Sequence, residues 1–128
     1  MRYALSAEPG YLHAQVYDRR TLEDIVEFYQ AIDAECDRCG LDRVLVESHE
    51  TEAPPLIGLR DAAAKLHHLF RNRRVAGVYT HMHVFRIAAD FAHFITSTRG
   101  ITNKMFSDRN AALRWLLEDA PRELENKP

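Results

Sequence analysis

Short apolar runs, some alternating and some continuous, are separated along this chain by stretches with helical periodicity. The first two runs cover residues 2–7 and 11–17 and flank Glu8-Pro9-Gly10. Proline presets φ and glycine accepts positive φ, so the pair predicts a turn and the runs a hairpin. In the second run Leu12, Ala14 and Val16 alternate with His13, Gln15 and Tyr17, the period of a half-buried strand. A helix is expected over 22–39. Thr21 stands at its N-cap, Glu23 and Asp24 lie in the first turn, and Gly40 ends it. Leu22, Ile25, Val26, Tyr29, Ile32 and Cys36 fall on one face at 3.6 spacing.

Two runs further on, at 43–47 and 75–79, consist of consecutive apolar residues and suit central strands. Residues 48–55 between them begin as an acidic loop, and 57–70 carry a helical stripe of Leu59, Ala62, Ala63, Leu66 and Phe70. A third helix is expected over 84–98 and a short polar edge strand over 101–106. Ser107 is placed to cap a last helix carrying Leu113, Trp115, Leu116 and Leu117. The order β-β-α-β-α-β-α-β-α predicts an α/β fold with a mostly parallel sheet of about five strands, the opening hairpin adding an antiparallel edge. One domain is expected over 1–118, followed by a charged, fraying tail over 119–128.

Composition narrows the function classes. A hydrophobic fraction of 46% is that of a globular chain, and a formal net charge of −2 argues against a nucleic-acid binder. No apolar run is long enough to span a bilayer, and Met1-Arg2-Tyr3 does not open a signal-peptide pattern, so the expected location is cytoplasmic. With two cysteines there is no disulfide framework. Cys36-Asp37-Arg38-Cys39 has the spacing of a redox or zinc motif, but it falls at the C-terminal end of a helix, where the dipole disfavours a thiolate, and no second cysteine pair exists. Cys36 is therefore expected in the core.

Seven histidines are many for 128 residues. His49, His81 and His83 follow two of the parallel strands, at the end where open α/β sheets place ligand sites, so a three-histidine metal site is one reading. Loop histidines that cap helices or stand in solvent are the plainer one, and no cofactor is expected. Arg71, Arg73 and Arg74 close a helix, where cations meet the dipole favourably. No nucleophile elbow, phosphate loop or Walker motif is present.

The third helix carries surplus apolar surface. Val84, Phe85, Ile87, Ala88, Ala89, Phe91, Ala92, Phe94 and Ile95 cover most of its circumference, leaving a polar stripe of Arg86, Asp90, His93 and Ser97. Phe85, Ala88, Phe91, Ala92, Phe94 and Ile95 are thus candidates to meet neighbouring helices, a second subunit or an apolar ligand.

The second half of the chain resembles a known family. Arg74-Val75-Ala76-Gly77-Val78, the apolar helix after it, and Phe106 followed by Ala111-Ala112-Leu113-Arg114-Trp115-Leu116 resemble the SpoIIAA-like (STAS/SEC14-type) family, and the order of elements agrees over about residues 2–118. The resemblance implies a regulatory or binding module with no cofactor and no catalytic residues common to the family. Anti-sigma-factor antagonists of that fold are switched by phosphorylation of a Ser or Thr at the start of the helix after the third strand. The corresponding stretch, 48–55, has Ser48 and Thr51 but lacks the Asp-Ser context followed by a small residue and glycine, and its acidic neighbours would repel a phosphate. Three readings follow. The favoured one is a non-catalytic regulatory or protein-interaction module, with a protein partner or a homodimer formed through the third helix. The second is a lipid or apolar-ligand carrier, and the third a metal-dependent enzyme using His49, His81 and His83.

Overall fold

The computed structural model describes residues 1–52, 73–81 and 102–118. The helices expected over 57–70 and 84–98, and the tail 119–128, lie outside the described residues. Within them, strands β1 (Tyr3–Glu8), β2 (Tyr11–Val16), β3 (Arg43–Ser48), β4 (Arg74–Tyr79) and β5 (Thr102–Phe106) form one mixed sheet, side by side in chain order. β1 runs antiparallel to β2, while β2–β3, β3–β4 and β4–β5 pair parallel. Helix α1 (Leu22–Cys39) and helix α2 (Arg109–Leu116) complete the described elements, so the chain is α/β.

The hairpin forms where the sequence places it: Pro9 precedes Gly10, whose φ of 89° is the positive value a type II turn requires at that position. Thr21 caps α1 by accepting from the Asp24 N–H, and Asp24 returns the bond to the Thr21 backbone, so a reciprocal capping box satisfies two otherwise orphaned donors. Gly40, at φ 69°, ends the helix in the left-handed conformation, with its N–H on the Cys36 carbonyl. α2 departs from expectation at its cap. Asp108, not Ser107, has the extended backbone of an N-cap, and its carboxylate accepts from the Ala111 N–H at 2.9 Å.

Strand alternation divides the interior into two layers. Leu12, Ala14 and Val16 of β2, Val44 and Val46 of β3 and Val75 of β4 share one face, packed with Phe28, Ile32 and Cys36 of α1. Phe28 is fully buried, whereas Tyr29 and Val26 are only half-buried, so the buried stripe of α1 is rotated from the one its periodicity suggested. A core ring of this size contributes about 1.5–3 kcal/mol. On the opposite face Leu45, Ala76 and Val78 pack with Ala112 and Leu116 of α2.

α2 runs back along that second face and is fastened at both ends. Arg109 in its first turn reaches Glu47, while Arg43 donates to the Leu116 carbonyl at 3.1 Å and Arg74 lies 4.1 Å over the Trp115 ring. Leu117, beyond the helix, is 41% exposed. In β4, Gly77 admits the Met105 side chain of β5: a Cβ there would stand 2.6 Å from Met105 Sδ. No helix among the described residues is long and apolar enough to cross a membrane.

Candidate functional site

Three strands, β2, β3 and β4, run parallel and end together, and polar side chains collect at those ends. Ser48 belongs to β3 itself rather than to a loop, because it remains in register with Val16 and Tyr79. The alternation of β3 then continues past its end. Ser48 and Glu50 fall on the α1 side, Glu47 and His49 on the α2 side.

On the α1 side lies a buried ion pair. Glu50 is 2% exposed and Arg19 5%. Glu50 Oε2 accepts from the Arg19 backbone N–H and from Nε, both at 2.9 Å, and Oε1 accepts from Nη2 at 2.7 Å. Ser48 Oγ donates to the same Oε1 at 2.7 Å and accepts from the Glu50 N–H at 3.3 Å. The guanidinium is roofed by the Phe28 and Tyr29 rings and reaches the Tyr29 hydroxyl at 3.4 Å. Both lone-pair directions of each carboxylate oxygen are thereby taken, which is what allows a charge pair to persist out of water. Burial by itself would raise the Glu50 carboxyl, but the fork from Arg19, its charge and the Ser48 hydroxyl outweigh it and hold the group below its ordinary range. Nearby, burial pushes the Tyr79 phenol up to about 12.

On the α2 side the groups are more open. Glu47 Oε1 receives His13 Nε2 at 2.8 Å and Arg109 Nη2 at 2.7 Å, so one oxygen ties β2, β3 and α2 together. Burial again opposes ionisation, and the bonds from Arg109 and His13 again prevail, leaving the Glu47 carboxyl lowered. One step along, His49 Nε2 lies 3.0 Å from Gln15 Oε1, and its ring stacks on Tyr17 at 4.9 Å and 19°. Arg2 covers the same tyrosine, 4.9 Å from its centroid. Between the two sides the residues after β2 and β3 enclose an open depression of about 190 Å³ lined by Tyr17, Asp18, Arg19, Arg20, Glu50, Thr51 and Glu52. That is below the roughly 300 Å³ at which ordinary small-molecule pockets begin.

Of the residues singled out in sequence, Ser48 is buried under Glu50, His49 is held by Gln15 and Tyr17, and His81 is exposed after β4. His83, Phe85, Ala88, Phe91, Ala92, Phe94 and Ile95 lie outside the described residues. No group of three or more His, Cys, Asp or Glu among the described residues is placed to hold a metal ion. His13, on the polar side of β2, meets a carboxylate, that of Glu47. The Cys-x-x-Cys stretch sits as its helix position predicts: Cys36 is fully buried, and burial pushes its thiol up to about 11, the opposite of the lowered value of a reactive cysteine. Arg73 is bound to Asp33 and Asp37 of α1, and Arg74 to Glu118, so both are engaged in holding the helices. Arg19 and Glu50 escaped the sequence reading. The one available signal was a Glu three residues past a predicted strand end, and its partner lies 31 positions away.

No family model, curated protein or solved structure matches the chain.

Proposed function

We propose that this chain is a non-catalytic regulatory or protein-interaction module of the STAS/SpoIIAA-like kind, acting in the cytoplasm. The observation that carries the reading is the state of the polar groups at the strand ends. A hydrolase or transferase built on such a sheet presents a base or nucleophile there, with reach toward a substrate. Here Glu50 is consumed by Arg19 and Ser48, and Glu47 by His13 and Arg109. Their role is to hold the scaffold, which leaves recognition to surfaces. The opening hairpin, α1 after β2, and a closing helix with a Trp-Leu pair also agree with the order that the family resemblance implies.

In this reading Ser48 is no phosphorylation switch. Its hydroxyl is buried and already bound to a carboxylate, so a phosphate would need both the ejection of Glu50 and the separation of two anions. Native mass spectrometry of the gently purified full chain is the test. A protein complex without small-molecule mass supports the module. A lipid-sized adduct on a monomer overturns it in favour of a carrier, and a stoichiometric metal overturns it in favour of the histidine site.

A further inference from the structure

β1 is the first strand of the sheet, and among the described residues no element lies beyond it. Its hydrogen-bonding parity is fixed by one bond. The Tyr17 N–H donates to the Arg2 carbonyl at 3.1 Å, so Arg2, and with it Ala4, Ser6 and Glu8, directs its backbone groups inward to β2. Tyr3, Leu5 and Ala7 therefore point their N–H and C=O groups outward, along the edge. Natural sheets blunt such an edge with lysine, proline or a bulge. The opposite outer strand, β5, carries the exposed Lys104. β1 reads Tyr-Ala-Leu-Ser-Ala-Glu, pairs without interruption along its whole length, and exposes only the small side chains Ala4, Ser6 and Ala7 between its ends.

We propose that the β1 edge is an interface with a second copy of this chain, the two β1 strands pairing antiparallel about a two-fold axis at Leu5. Two independent requirements select this register. Antiparallel partners must match outward residue with outward residue, which leaves only registers two residues apart. Of these, the one centred on Leu5 sets Arg2 opposite Glu8 of the second copy, and Glu8 opposite its Arg2. Both residues lie on the same sheet face in non-hydrogen-bonded pairs, where cross-strand side chains come closest. Shifting by two residues in either direction places Glu8 beyond the end of the partner strand or opposite Ala4. The centred register brings Leu5 against Leu5 and Tyr3 against Ala7, about six new backbone hydrogen bonds in all. The occupant is thus specified by self-complementary charge at the two ends of one strand. A single strand edge is a small interface, so the association is concentration-dependent.

This inference does not rest on the functional reading above. A heterologous complex without self-association would leave the module reading standing and remove this one. The experiment is sedimentation velocity on the full chain from about 1 to about 300 μM, the range suited to small interfaces. A reversible monomer–dimer equilibrium is expected. Ala7→Pro deletes an outward N–H while sparing the β1–β2 ladder, and raises the dimer dissociation constant at least about tenfold. Arg2→Glu and Glu8→Arg each weaken the dimer, and the double variant Arg2→Glu/Glu8→Arg restores it, a rescue that a merely misfolded chain does not show. Circular dichroism melts confirm that each variant folds. A chain that stays monomeric throughout overturns the proposal and leaves the edge to an extended segment of another protein. A dimer indifferent to Ala7→Pro and to the charge variants overturns it as well, moving the interface elsewhere.

Discussion

Glu47 and Glu50 stand three residues apart at the end of one strand, and both are ionised in defiance of burial, yet they do so by different means. Glu50 is enclosed with a single arginine that meets it through a fork and a backbone N–H, under two aromatic rings. Glu47 gathers partners from two other elements onto one oxygen, and its Arg109 partner is 51% exposed along the side chain. The first arrangement is a closed pair whose members have no alternative partner in water. The second is a junction that exchanges readily with solvent. A closed pair is costly to break and cheap to delete whole, whereas a junction loses strength piece by piece.

Breaking the closed pair should produce the largest effect. Arg19→Met strands the Glu50 carboxylate and is expected to cost about 3–5 kcal/mol in urea unfolding, whereas the apolar double variant Arg19→Met/Glu50→Leu recovers most of that loss. If the double variant were no better than the single one, the pair would not be acting as a unit. At the junction, Glu47→Gln removes the anion but keeps an oxygen acceptor, and a loss of about 1–2 kcal/mol is expected by the same measurement.

Acid should act on both sites in the same direction. Each carboxyl is held below its ordinary value in the fold, so the stability it confers is complete above the unfolded value of about 4.3 and is lost as pH falls through the folded one. Thermal melts from pH 6 to pH 2 should show a falling limb that is shallower in Glu50→Gln. An unchanged limb would mean that other groups carry the acid sensitivity. The smallest effect is Arg109→Ala, at most about 1 kcal/mol and shrinking further in high salt, because that arginine is largely in water.

How much of this was readable beforehand follows from the range of the forces involved. The cap at Thr21, the Gly40 stop, the Pro9-Gly10 turn and the alternation of Leu12, Ala14 and Val16 are local, and each appears where the residues suggested. Phe28 was missed because a helix bearing apolar residues at 25, 26, 28, 29 and 32 offers two overlapping stripes, and the sheet it meets decides between them. Asp108 replaced Ser107 at the last cap because either side chain suits the position and the backbone bend settles it. The polar sites were the least legible. Arg19–Glu50 and His13–Glu47 join residues 31 and 34 apart, and only strand register brings them together. His49 is placed by register in the same way: it lies across from the polar side of β2, where Gln15 and Tyr17 hold it.

The return of α2 along the second face, fastened at both ends, has a consequence for how the chain is made. Leu45, Ala76 and Val78 emerge from the ribosome well before the helix that packs on them. During synthesis the contacts of α1 with β2 and β3 become possible early, whereas those of Ala112 and Leu116 with the second face come last among the described elements. A nascent or truncated chain ending before residue 109 lacks the cover that Ala112 and Leu116 give Leu45, Ala76 and Val78, and exposed apolar surface of that kind is what chaperones bind and aggregates grow from.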